Sequence, residues 1–300
     1  MLQRTRTILV AATAAAALLS AVPIASGAAS GPRSEDVSFG EIDDHNTLRA
    51  FGITRDQRLV RFETDARDDI RVIGKIAGLE VDQRLVGIDF RPATGQLYGL
   101  GDAGGIYTIA TRSAQATRVS QLNVPLEGTF FGVDFNPAVD RLRIISDTGQ
   151  NLRHDVTLPT GGTIMDGTLT YPATTTTPAT TATGVTGAAY TNNDTSADTS
   201  ATLYDIDTNL DQVVIQSPAN AGLLAATGKL TVDAGTNAGF DIYSKVREGT
   251  AVALFPYAVL RVDGRFGLYD VRLANGVVER EYQFPRCKQV TDIAIPLNQL

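Results

Sequence analysis

Apolar residues in this chain come in short runs that alternate with polar ones and are cut at close intervals by Gly, Asn, Asp and Pro. Two runs nearly coincide. Residues 85–100 read LVGIDFRPATGQLYGL, and residues 130–145 read FFGVDFNPAVDRLRII. Six identities recur 45 residues apart: Gly87 and Gly132, Asp89 and Asp134, Phe90 and Phe135, Pro92 and Pro137, Ala93 and Ala138, Leu97 and Leu142. Period-two alternation with β-branched and aromatic enrichment predicts strands, and turn residues (ATGQ, GDAGG, DTGQN, LANG) predict where they end. Self-similarity at this period, built of strands, predicts propeller blades. No segment sustains a 3.6-residue period, so little helix is expected.

Weaker copies complete the pattern. Four-strand units are expected over 86–122, 132–171, 187–230 and 239–284, the third being the most diverged. The stretch 47–79 supplies three strands without a first one, while VTDIAIP at 290–296 reads as a first strand without a blade. Joining them makes a fifth blade and removes the exposed sheet edges that an open ring would carry. The expectation is an all-β propeller of five four-stranded blades over residues 46–300, closed by a C-terminal strand pairing with the N-terminal blade. The insert PATTTTPATTATG (172–184) has no periodicity and no core-forming residues, and is expected to be a flexible surface loop.

The chain's start reads as an export signal over residues 1–29. Arg4 and Arg6 precede an alanine-rich apolar run from Ile8 to Val22, and small residues close it in ASGAAS. The run is too short and alanine-heavy for a membrane span. Residues 30–45 read as a polar lead-in. A secreted or cell-envelope location is expected, with no membrane span. The net charge of −7 becomes more negative once Arg4 and Arg6 are removed, so phosphate backbones are repelled and no nucleic-acid partner is expected. Cys287 is the one cysteine, which excludes an intramolecular disulfide; it is expected to be a small buried filler.

The strings GIDFRPATGQLYGLG, FGVDFNPAVDRLRIISDTGQNLR, AAYTNN and TLYDIDT together resemble a family of bacterial exported proteins that carry a large domain of unknown function. The resemblance covers most of residues 46–297. It implies a repeat β architecture and export, and brings no established reaction or catalytic residue.

Candidate chemistry is confined to carboxylates and a few polar loops. Asp89, Asp134 and Asp241 occupy matching positions in three first strands, with Ala189 at that place in the third copy and Asp292 about one position out of step. First strands line a propeller's channel. The aspartates are expected either to accept hydrogen bonds between blades or to hold a cation such as calcium; a repeat position first serves the repeat, which favours the structural role. DIDTNLDQ (205–212) fails the calcium-loop pattern, with Leu210 at the sixth position and Gln216 at the twelfth, and is expected to be a hairpin with Asx turns. SDTGQNLRHD (146–155) is expected to be a hairpin turning at Gly149, and on a rim loop Asn151 and Arg153 are ligand-binding candidates. Asn193-Asp194-Thr195 is a weak glycosylation tripeptide. Two histidines and one cysteine cannot easily build a zinc site, and no Walker loop, H-E-x-x-H or G-x-S-x-G is present. The absence of Trp weakens a sugar-stacking platform, although nine Tyr are available.

Three readings follow. The first is a noncatalytic module that binds an extracellular protein or a small ligand, with no cofactor. The second is a calcium-dependent hydrolase or lactonase-like enzyme using the channel aspartates. The third is a structural envelope protein.

Overall fold

The computed structural model describes residues 47–65, 69–192, 194–195, 199–248 and 250–300. The expected export signal, the polar lead-in and Asn193 lie outside the described residues. No helix among those described is long and apolar enough to cross a membrane.

The chain forms five four-stranded antiparallel sheets. Blade 1 contains β1 (Arg49–Thr54), β2 (Arg58–Glu63) and β3 (Arg71–Lys75). Blade 2 is β4 (Leu85–Arg91), β5 (Gln96–Gly101), β6 (Gly105–Ile109) and β7 (Ala116–Gln121). Blade 3 is β8 (Phe131–Asn136), β9 (Arg141–Ser146), β10 (Asn151–His154) and β11 (Thr163–Met165). A two-stranded ribbon follows, β12 (Thr170–Tyr171) with β13 (Thr180–Thr181). Blade 4 is β14 (Val185–Tyr190), β15 (Leu203–Asp207), β16 (Gln212–Gln216) and β17 (Leu224–Lys229). Blade 5 is β18 (Ala238–Arg247), β19 (Thr250–Val262), β20 (Arg265–Val271) and β21 (Val278–Gln283). The last strand, β22 (Val290–Ala294), completes blade 1 by pairing with β1, Gly52 opposite Ile293 and Phe51 opposite Ala294. The predicted five-bladed ring, sealed by its C-terminal strand, is the observed fold.

The first strands β4, β8, β14, β18 and β22 pack side by side around the axis. Their recurring glycine explains how. A Cβ on Gly132 would sit 2.8 Å from the Ala188 backbone nitrogen, and one on Gly87 would sit 1.9 Å from Val133 Cγ2. Only a bare Cα lets neighbouring strands approach this closely. The apolar residues between blades gather into five cores, one per junction. Tyr98 of blade 2 and Phe135 of blade 3, for instance, meet edge to face at 5.2 Å. The apolar burial is thus spread round the ring, junction by junction.

Three local expectations change. Cys287 is exposed, because it lies in the turn where Lys288 N donates to Pro285 O between β21 and β22. The Thr/Ala/Pro insert carries one edge of the ribbon, and Ala182 within it is buried beside Leu169 and Val185 in the core between blades 3 and 4. The strand that the sequence suggests over TAVALF (250–255), stopping before Pro256, runs on to Val262. Pro256 pairs with Ile242 on one side, and β20 joins on the other side only from Tyr257, so no ladder bond is asked of the missing N–H there.

Candidate binding cleft and axial carboxylates

Blade 3 turns a polar face toward blade 4. Asp134 on β8 stands opposite Arg143 on β9, and Arg143 stands opposite Arg153 on β10. Like charges directly across a sheet repel. Asp166, just beyond β11, resolves the conflict by taking both: Arg143 Nη1 donates to Asp166 Oδ2 at 2.7 Å, and Arg153 Nε donates to Oδ1 at 3.1 Å. Arg143 is buried and each of its three nitrogens donates, with further bonds to Asn151 Oδ1, Asn220 Oδ1 and Tyr190 Oη. Asn151 is buried behind it. Its Nδ2 donates to Gly167 O and Ala219 O, which ties β10 to the single-turn 3-10 helix Ala219–Ala221 before β17.

These residues wall a cleft of about 440 Å³ between blades 3 and 4, lined by Asn136, Arg141, Arg143, Arg153, Tyr190 and Asn220 among others. Three arginines line it, while the acids paired with them number two, Asp155 with Arg141 and Asp166 with both others. The Arg153 side chain is 36% exposed, and its two terminal nitrogens have no protein partner among the described residues. Asn220 is exposed and offers its amide nitrogen. The cleft is therefore a cationic pocket with open, forked donors in an otherwise acidic protein.

The recurring aspartates do what the repeat asks. Asp89 Oδ2 on β4 accepts from Phe135 N on β8 at 2.7 Å, and Asp134 accepts from Tyr190 N on β14. Asp241 Oδ2 on β18 accepts from Ile295 N just beyond β22, and Asp292 Oδ2 accepts from Ile88 N on β4. Each carboxylate thus stitches its blade to the next. Where the motif has Ala189 instead, Asn192 N donates to Ser244 Oγ and makes the link from the opposite side.

Three of these aspartates also converge. One oxygen from each of Asp89, Asp134 and Asp241 lies within 4.8 Å of the others, and all three residues are buried. Burial pushes the Asp89 and Asp134 carboxyls well above the ordinary carboxylate range, and their negative neighbours push them further; burial takes Asp241 up to about 7. A cavity of about 10 Å³ lies among them, with Tyr190 and Asn192 also in its wall. Tyr190 borders both sites: its backbone holds Asp134 and its hydroxyl faces Arg143.

Of the five residues expected at a site, the structure brings Asp89, Asp134 and Asp241 together on the axis, places Arg153 in the cleft wall, and puts Asn151 behind that wall. Sequence reasoning missed Arg143, Asp166, Tyr190, Asn192 and Asn220. The one available signal was DRLRIISDTGQNLR, where a hairpin at Gly149 forces Arg143 opposite Arg153 and so demands a nearby anion. The DIDTNLDQ segment is the expected Asx-turned hairpin, with Asn209 N and Leu210 N both donating to Asp207 Oδ1.

A ring of five sheets with an interblade cleft and a carboxylate-lined axis places the chain among the β-propellers. More narrowly, it belongs to the DUF4394 family, a domain of unknown function, whose sequence model matches residues 58–294. No curated protein matches the chain. Among solved structures it is similar to YCF48 bound to D1 peptide, at 10% identity and a TM-score of 0.34 over 77% of this chain and 62% of that one. It is also similar to a structural genomics protein of unknown function from Bacteroides thetaiotaomicron VPI-5482, at 13% identity and a TM-score of 0.39 over 84% and 67%. A third is PorZ of the type-IX secretion system of Porphyromonas gingivalis, at 17% identity and a TM-score of 0.33 over 78% of this chain and 29% of that one. The chain thus spans less than two thirds of the YCF48 and PorZ chains.

Proposed function

We propose that this propeller is a noncatalytic binding module that takes a small carboxylate-bearing or phosphate-bearing ligand in the cleft between blades 3 and 4. The observation that carries this reading is the unbalanced arginine wall, in which Arg143 is spent on the scaffold and Arg153 keeps both terminal nitrogens open beside the Asn220 amide. A planar guanidinium with free parallel N–H groups matches an oxyanion in bidentate geometry. The hydrolase reading finds little support, because the axial carboxylates are buried and their cavity of about 10 Å³ admits nothing larger than a water or an ion. The leader-like start with Arg4, Arg6 and the apolar run to Val22 supports an exported setting for the ligand.

Isothermal titration with citrate, acetate, inorganic phosphate and sulfate tests the reading. At least one probe is expected to bind one to one, more weakly as salt is raised, and Arg153→Ala is expected to weaken it about tenfold or more, the worth of one charge-assisted fork. Absence of binding by every probe at about 10 mM, a concentration suited to the weakest site of interest, or equal affinity in Arg153→Ala, contradicts it.

A further inference from the structure

We propose that Asp89, Asp134 and Asp241, together with the side chain of Asn192, form a structural binding site for one calcium ion on the propeller axis, holding blades 2, 3, 4 and 5 together. Two independent observations meet here. The first is the convergence of three buried carboxylates, one from each of β4, β8 and β18, with ligand atoms within 4.8 Å of one another. Oxygens on one calcium at 2.3–2.6 Å stand at most roughly 5 Å apart, and the spread of these three falls inside that limit. The second observation is Asn192, which is 3% exposed, lines the same cavity, and has a side-chain nitrogen with no hydrogen-bond partner. A buried amide nitrogen left unsatisfied is a cost the rest of the fold must offset. Its backbone holds the left-handed conformation, φ 78°, that non-glycine residues rarely adopt. Its Oδ1 accepts a long hydrogen bond from Asp194 N at 3.4 Å. A half-turn of the amide gives up that long contact and presents the oxygen to the cavity as a fourth hard ligand.

The donor set is all oxygen, which suits a hard divalent cation and excludes thiolate-seeking metals. The carboxylates remain competent as ligands although they already accept backbone N–H groups, because each oxygen has two lone pairs. Those N–H donors, Phe135 N and Phe90 N on Asp89 and Ile295 N on Asp241, also fix the carboxylates in place before an ion arrives. The cavity of about 10 Å³ is the size of one water or ion and too small for an organic substrate. The ion's role is to cancel the repulsion of three acids that lie within blade-closing distance.

The test uses the full chain, freed of metal with EDTA and dialysed. Calcium titration followed by calorimetry and by thermal melting is expected to give one ion per chain and a rise in Tm that grows with calcium concentration. Asn192→Ala removes no interblade stitch made by its side chain, and is expected to weaken calcium about tenfold. Asp134→Asn is expected to abolish binding. If that variant fails to fold, terbium luminescence of the unaltered protein, displaced by calcium at one site, carries the test. Arg153→Ala lies in the anion cleft and is expected to leave calcium binding unchanged, which separates this site from the cleft. The proposal is overturned if calcium, magnesium and manganese all leave Tm unmoved, which marks a cluster held by shared protons alone. It is equally overturned if Asn192→Ala binds calcium as the parent does, or if Asp205→Asn, a buried carboxyl elsewhere in blade 4, abolishes binding.

Discussion

Asp205 shows how much of this molecule turns on single side chains. It sits fully buried on β15, and neither carboxyl oxygen has a hydrogen-bond partner. Burial pushes its carboxyl well above the ordinary value of 3.8, with Arg143 pulling the other way. A native acid that holds its proton longer than the unfolded chain makes unfolding release protons. Stability from this group is therefore greatest below about pH 4 and falls as pH rises through that value toward the native one. Asp205→Asn keeps the shape and removes the titration. Thermal melts between pH 4 and 8 are expected to fall less steeply for the variant than for the parent; equal slopes would show that Asp205 titrates normally. The same residue-scale view separates what was legible from what was not. Asp89, Asp134 and Asp241 were visible because the repeat prints them in register. Asn192, Tyr190, Asp166 and Asn220 were not, because each reaches its site from a different strand or loop, and only the closed ring brings them together. Cys287 was misplaced because burial statistics for cysteine say nothing about a turn.

Strands were the most legible level, and the recurring glycine is the element that sets their spacing. Gly132 has Ala188 N, a backbone atom, 2.8 Å from where a Cβ would stand, whereas Gly87 faces the Val133 side chain. Adding a methyl at Gly132 therefore forces β8 and β14 apart. Gly132→Ala is expected to cost about 1–3 kcal/mol, the usual range for overpacking, read as a lower urea midpoint with an unchanged slope. A midpoint equal to the parent's would mean the first strands are not packed this tightly. Element ends were read less well for physical reasons. Pro256 looked like a stop, but sheet neighbours reach β19 on one side only at that point. The Thr/Ala/Pro insert lacks apolar periodicity, yet its ribbon docks through Tyr171, whose hydroxyl donates to Asp207 and accepts from Gln212 Nε2 at 2.8 Å. Such a tether comes from tertiary contact and leaves no local pattern.

At the scale of the whole molecule, both sites depend on ring closure. The cleft lies between two blades, and the axial acids come from three first strands that stay in place only if the circle is complete. Five apolar cores at five junctions make each blade depend on two neighbours, so opening one seam exposes apolar surface at blades 1, 2 and 5 through Val290, Ile293 and Ala294. The closure was readable from three strands without a first one over 47–79 and an orphan first strand at 290–296. Amide hydrogen exchange followed by mass spectrometry measures it directly. If β22 is the innermost strand of blade 1, the peptide spanning residues 290–295 exchanges as slowly as the peptides of β1 and β2. Exchange of that peptide within seconds, while β1 and β2 stay protected, would show an open ring and remove the basis of both sites.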